Sequence, residues 1–172
     1  MGKLLILGAG GFGRQVFELA REAGEFEAIA FLDDNSQDPR VVGRLGDYLA
    51  LKGAYTHALA AIGNNPLRLE WGEKLKEAGY ILPTLCHPAA YISLSAQIGE
   101  GSVVLPLACL MASVKVGRCC IVNTGSVADH DSRLEDGCHL GVKAIVKAGA
   151  TLPSLTKLDA GEILRSPWEY QK

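Results

Sequence analysis

The sequence predicts two domains of different class, a small α/β domain over residues 1–82 and an all-β parallel coil of hexapeptide repeats over residues 83–172. Two columns of residues predict the coil. Counting by sixes from Ile92 to Leu164, thirteen consecutive positions are aliphatic, and all but Ala128 are Val, Ile or Leu. With 48% apolar residues in the chain, such a run arises by chance about once in 10^4 trials in a given register. Two residues ahead of each stands a small side chain, from Ala90, Ala96 and Ser102 through Cys120, Ser126, Ser132 and Cys138 to Thr156, and only Glu162 breaks this second column. The α/β domain is predicted by G-x-G-x-x-G, at Gly8, Gly10 and Gly13, set between an apolar run and an amphipathic one.

In chain order, Leu4–Leu7 reads as a buried strand and the segment after the glycines as a helix ending at Gly24, with Val16, Leu19, Ala20 and Ala23 on one face. A second strand, Ala28–Leu32, ends in Asp33-Asp34, twenty residues past Gly13. That spacing suits a Rossmann-like nucleotide site with an acid at the ribose. The alternative is that the glycines only let the helix pack on the sheet. A third strand, Ala58–Gly63, leads to Asn65 as N-cap and Pro66 as first helical residue. The helix carries Arg68 and Trp71 and stops at Gly79, and Tyr80–Leu85 reads as a strand into Cys86-His87-Pro88. About 80 residues hold one mononucleotide-sized half, which favours a nucleotide smaller than NAD.

From Ile92 onward the period decides the architecture. On a helix a six-residue step rotates the aliphatic column around the axis. A flat half-buried strand has no reason to keep the position two residues earlier small. Short strands joined by tight corners satisfy both columns, with one large residue per face pointing inward. Glycines fall near the corners, at Gly99, Gly101, Gly117, Gly125, Gly137, Gly141, Gly149 and Gly161, where positive φ is expected. Three hexads make a triangular turn, so thirteen give a little over four.

Composition bounds the partners. The formal net charge is −2, which leaves no basic footprint for nucleic acid. No apolar run approaches a membrane span and no signal peptide precedes the first strand. Five cysteines without a C-x-x-C pair fit a reduced, cytoplasmic protein, with Cys120 and Cys138 acting as small apolar residues.

Asp129-His130-Asp131 lies at a corner, outside the aliphatic column. An imidazole there can serve as a general base oriented by a carboxylate, or be a solvated corner residue. His139, beside the inward column, reads equally as a functional or a hydrogen-bonded wall residue. His87 reads as structural and His57 as a surface residue. A zinc site of three histidines is disfavoured, because the coil offers only His130 and His139 in different repeat slots.

LGAGGFGRQV, FLDD, AIGNNPLR, LCHPAAYIS and IVNTGSVADHD occur in this order between residues 7 and 131. Together they resemble the bacterial sugar O-/N-acyltransferases of the sialic-acid O-acetyltransferase and UDP-aminosugar N-acetyltransferase type. The resemblance implies a left-handed β-helix, acetyl-CoA as cosubstrate without a metal, and transfer to an amine or hydroxyl of a sugar for bacterial surface glycans. It further implies His130 as base with Asp131 modulating it, and His139 and Gly141 near the thioester of the coenzyme. Gly10, Gly11 and Phe12 would meet the pyrophosphate of a UDP-sugar, Asp33 and Asp34 the nucleoside, and Gly63 the sugar side. A homotrimer is implied, with the site between coils. Family members usually carry further hexads beyond the equivalent of Gly149, and a shortened, catalytically lost sugar-nucleotide-binding or scaffold relative is the alternative reading. Lys143 and Lys147 suit either CoA phosphates or plain solubility.

Overall fold

A computed structural model describes residues 2–170. The chain divides into two compact units, residues 1–85 and 86–172.

The first unit is a four-stranded parallel sheet with two helices. Strands β1 (Gly2–Leu7), β2 (Phe26–Leu32), β3 (Val41–Gly43) and β4 (His57–Ala60) lie in the order β3-β2-β1-β4. β1 is central because Leu4 to Leu7 are apolar on both faces, and all four are fully buried. Helix α1 (Gly11–Ala23) buries Gly13, Val16, Leu19 and Ala20 and ends at Gly24, which takes the left-handed conformation at φ 67°. Helix α2 (Asn65–Glu77) follows β4. Its N-cap is Asn64, one residue earlier than expected, and the Asn64 side chain accepts from the Leu67 N–H. Asn65 is occupied elsewhere, accepting a 2.8 Å bond from buried Arg68. The strand expected over Tyr80–Leu85 is not formed as such. Ile81 makes one parallel bridge to His57, and Pro83, without an N–H, cannot extend it. His57 is half-buried rather than on the surface, with its ring edge-on to Phe26 at 5.3 Å.

The second unit is a left-handed parallel β-helix. From Leu85–Cys86 to Ile163–Leu164 the chain runs as two-residue strands at six-residue spacing, so the inward column begins at Cys86, one hexad before Ile92. Each strand pairs with the one eighteen residues on, as in Ile121↔His139 and Val127↔Ile145. Three hexads therefore make one turn. Face one holds Gln97–Ile98, Lys115–Val116, Arg133–Leu134 and Thr151–Leu152. Face two runs from Leu85–Cys86 through Val103–Val104, Ile121–Val122 and His139–Leu140 to Lys157–Leu158. Face three holds Tyr91–Ile92, Cys109–Leu110, Val127–Ala128, Ile145–Val146 and Ile163–Leu164.

Both sequence columns point into the prism. Val104, Leu110, Ala128, Leu140 and Val146 are fully buried, together with Ala108, Cys120, Cys138 and Ala144 of the small column. The hydroxyl of Ser102 donates to Gly117 O and accepts from Cys120 N–H, which ties two successive turns at a corner.

The corner glycines divide into two kinds. Every sixth residue from Gly101 to Gly161 has φ between 53° and 74°, and six of these positions carry side chains, namely Leu107, Ser113, Cys119, Asp131, Lys143 and Leu155. Glycine is thus helpful there but not required. Gly99, Gly117 and Gly141 are different and do not have positive φ. A Cβ on Gly141 would stand 2.7 Å from Leu158 O, and one on Gly99 2.6 Å from the Gly117 carbonyl carbon. These glycines let neighbouring turns stack.

Candidate functional site

In the first unit the fingerprint glycines have separate jobs. Gly8 has φ 102°, and a Cβ on Gly13 would meet Gly8 O at 1.9 Å. Gly13 is demanded by the approach of α1 to the end of β1, and Gly8 by its positive φ and by Ala61 O, which a Cβ would meet at 2.8 Å. Gly10, Gly11 and Gly63 are exposed and a Cβ on any of them would meet nothing within 4 Å. Packing therefore explains two of the three fingerprint glycines and leaves Gly10, with its neighbour Gly11, unexplained. They open α1, whose first turn has no side-chain cap and no acidic residue, leaving N–H groups for an anion. Phe12 is half-buried in the same turn.

Asp33 is drawn into the loop itself. Its carboxylate accepts from the N–H groups of Ala9 at 2.8 Å, Asn35 at 2.9 Å and Ser36 at 2.8 Å. The Ala9 bond holds its pKa below the ordinary carboxylate value, against the effect of burial, with Asn35 and Ser36 assisting. Asp33 thus fixes the glycine loop against the end of β2, while Asp34 accepts from Leu45 N–H at 3.1 Å. Arg68 is fully buried and donates to Ile62 O at 2.9 Å and to Asn65 Oδ1 at 2.8 Å. It organises the loop that carries Gly63. Its role was not visible in the sequence, where an arginine on the first turn of a helix reads as surface charge.

In the second unit His130 occupies the corner between faces three and one. Its Nδ1 lies 2.8 Å from Asp131 Oδ2. Because a carboxylate only accepts, Nδ1 carries the hydrogen and Nε2 the lone pair. The bond between sequence neighbours is possible because Asp131 is left-handed, at φ 59°, a conformation that Asp tolerates better than most residues. The hydrogen bond to Asp131 raises the imidazole pKa above its ordinary value; slight burial opposes this, and the charges of Asp129 and Asp131 add to it. The two side chains are 53% and 60% exposed. Trp168, from the C-terminal 3₁₀ turn Pro167–Tyr170, stacks on the ring with centroids 6.3 Å apart.

His139 sits on face two, half-buried, with Nε2 3.4 Å from Asn123 Nδ2. Asn123 follows the inward Val122 and stands one turn before Gly141, eighteen residues on. It was not singled out from the sequence, although that spacing would have placed it beside the His139 pair. Within one chain the coil does not bring all these groups together: His130 lies at one edge of face three, and Asn123 at the other. Among the described residues no group of three His, Cys, Asp or Glu is arranged to hold a metal ion, and no helix is long and apolar enough to cross a membrane.

The PglD N-terminal domain model matches residues 3–75. UDP-N-acetylbacillosamine N-acetyltransferase of Bacillus subtilis (strain 168) is 33% identical over 114 residues, which is 61% of this chain and 52% of the relative. The chain thus matches about half the length of that curated relative. The acetyltransferase domain of PglB from Neisseria gonorrhoeae FA1090 superposes with a TM-score of 0.87 and 31% identity, over 96% of this chain and 92% of that one. PerB from Caulobacter crescentus, solved in complex with CoA and GDP-perosamine, gives 0.85 and 32%, over 96% and 89%. The chain belongs to the left-handed β-helix family of bacterial sugar acyltransferases.

Proposed function

We propose that the protein transfers an acetyl group from acetyl-CoA to the amine of a nucleotide-linked aminosugar, for bacterial surface glycan synthesis, with His130 as general base. The observation that carries this reading is the His130–Asp131 pair. Asp131 holds Nδ1–H, so Nε2 is left to take the proton that the amine loses as it attacks the thioester. Asp131 also stabilises the imidazolium that forms. The proton then returns to the CoA thiolate as it leaves.

Gly10, Gly11 and Phe12 at the open N-terminus of α1 suit the pyrophosphate, and the loop fixed by Asp33 and Asp34 suits the nucleoside. Gly63 would line the sugar side. A UDP-linked sugar is the first candidate, and a GDP-linked one is the natural comparison. His139 and Gly141, with Asn123, would meet the acetyl end of the coenzyme.

Assembly as a homotrimer completes this arrangement. The outward residues of face three are Tyr91, Cys109, Val127, Ile145 and Ile163, all apolar, whereas face one shows Gln97, Lys115, Arg133 and Thr151. A continuous apolar stripe of this kind is what an obligate interface buries. Packing face three against a second coil would bring His130 of one copy toward Asn123 and His139 of another.

The test is thiol release from acetyl-CoA with UDP- and GDP-linked aminosugars. Release that depends on the aminosugar supports the reading. No release with any acceptor, from protein that binds both substrates, overturns it.

A further inference from the structure

Beside the His130 corner, on the polar face of the coil, lies a recess of about 370 Å³ lined by Ser113, Lys115, Asp131, Ser132 and Arg133. Lys115 and Arg133 occupy paired positions of adjacent turns, as the register Lys115↔Arg133 requires. Strand spacing sets their backbones about 5 Å apart, so two cations project side by side from one face. Like charges in this position repel, and the fold provides little to offset it. Lys115 has no carboxylate at ion-pair distance among the described residues, and Arg133 reaches only Glu135 Oε1, at 3.7 Å and exposed. Asp131, which also borders the recess, is engaged by His130.

We propose that this recess is a phosphate subsite, with Lys115 and Arg133 gripping a phosphate-bearing arm of a substrate whose reactive end lies at His130. Paired cations one strand apart match the oxygens of a phosphate or diphosphate, and the planar guanidinium can bind two oxygens at once. Two sources carry that chemistry, the phosphates of CoA and, in place of the α1 site proposed above, the diphosphate of a sugar nucleotide. The proposal rests on the acyltransferase reading for the substrate's identity, but the binding it asserts does not require turnover.

The experiment therefore measures binding and turnover separately. Lys115→Gln, Arg133→Gln and the double variant are titrated calorimetrically with UDP, GDP, CoA and 3′-dephospho-CoA, and sedimentation verifies that each remains folded and assembled as the parent does. Either single variant should bind one ligand about tenfold more weakly and the double about a hundredfold, as the loss of charge-assisted hydrogen bonds predicts. In the parent, but not in the double variant, that affinity should fall steeply with salt. Weakened UDP or GDP binding assigns the subsite to the sugar nucleotide. Weakened CoA binding with 3′-dephospho-CoA unaffected assigns it to the 3′-phosphate, and equal weakening of both assigns it to the CoA diphosphate. Unchanged affinity for all four ligands overturns the subsite, even if acetyl transfer is intact. Weakened binding in a protein that transfers no acetyl group keeps the subsite and removes the acyltransferase reading instead.

Discussion

Alanine substitutions at Gly11 and Gly13 should have opposite consequences, because the two glycines are small for different reasons. At Gly13 the added Cβ falls 1.9 Å from Gly8 O, where real contacts stop near 3.0 Å, so α1 and β1 must part by about 1 Å. Neither partner is a flexible side chain, and overpacking of this sort costs about 1–3 kcal/mol or more. At Gly11 the Cβ meets nothing within 4 Å. Alanine there gains helix propensity, up to about 1 kcal/mol, so the first unit should be as stable as the parent or more so. If α1 cradles a pyrophosphate, however, the new methyl stands among the N–H groups that hold it. Gly11→Ala should then weaken UDP binding about tenfold or more while the unfolding midpoint stays or rises. Gly13→Ala should lower the midpoint. Urea unfolding followed by circular dichroism, with calorimetric titration of UDP, separates the two effects. Parent-like UDP affinity in Gly11→Ala would refute the cradle, and a parent-like midpoint in Gly13→Ala would refute the packing argument.

Three further outcomes are expected. Asp131→Asn removes the interaction that chiefly raises the His130 pKa; a lower pKa keeps the base neutral to lower pH, so the acid limb of the pH–rate profile should move toward acid. The rate loss itself should be about two- to fivefold, since a pair this exposed is screened by water; an unmoved limb would dissociate Asp131 from the base. Sedimentation at micromolar concentration should give a trimer, and Val127→Glu, which puts a charge in the apolar stripe of face three, should yield monomers; a monomeric parent contradicts the assembly. Arg68→Met should destabilise the first unit by about 2 kcal/mol or more, because Ile62 O and Asn65 Oδ1 lose their donor, and a neutral effect in urea unfolding would contradict that role.

The coil was legible because its geometry repeats in the sequence. One inward position in six must be large and another small, and no helix or flat sheet imposes that pair of columns. Counting by sixes sees only what points inward. The apolar stripe of face three recurs at eighteen, from Tyr91 and Cys109 to Ile163, and becomes visible only when three hexads are known to make one turn. The same blindness hid Asn123 beside His139. Corner glycines look alike in the sequence, yet Gly101 supplies a left-handed turn and Gly141 a close approach. In the α/β unit the strand–turn–helix pattern was plain, whereas Asn64 and Asn65 were a single signal until Arg68 was seen to hold the second of them. The two candidate aspartates were found by spacing, and the hydrogen bonds of Asp33 to Ala9, Asn35 and Ser36 show that it fixes the loop it was expected only to border.

The measurement that bears most directly on the central claim is the steady-state kinetics of His130→Ala with acetyl-CoA and the aminosugar nucleotide that serves best. If Nε2 accepts the amine proton in the transition state, kcat should fall by about 10^2- to 10^4-fold, with both KM values little changed because the lost interaction belongs to the transition state. A His130→Ala protein that retains near-normal turnover would contradict the account and move the chemistry to His139 or to an acceptor amine that is already deprotonated.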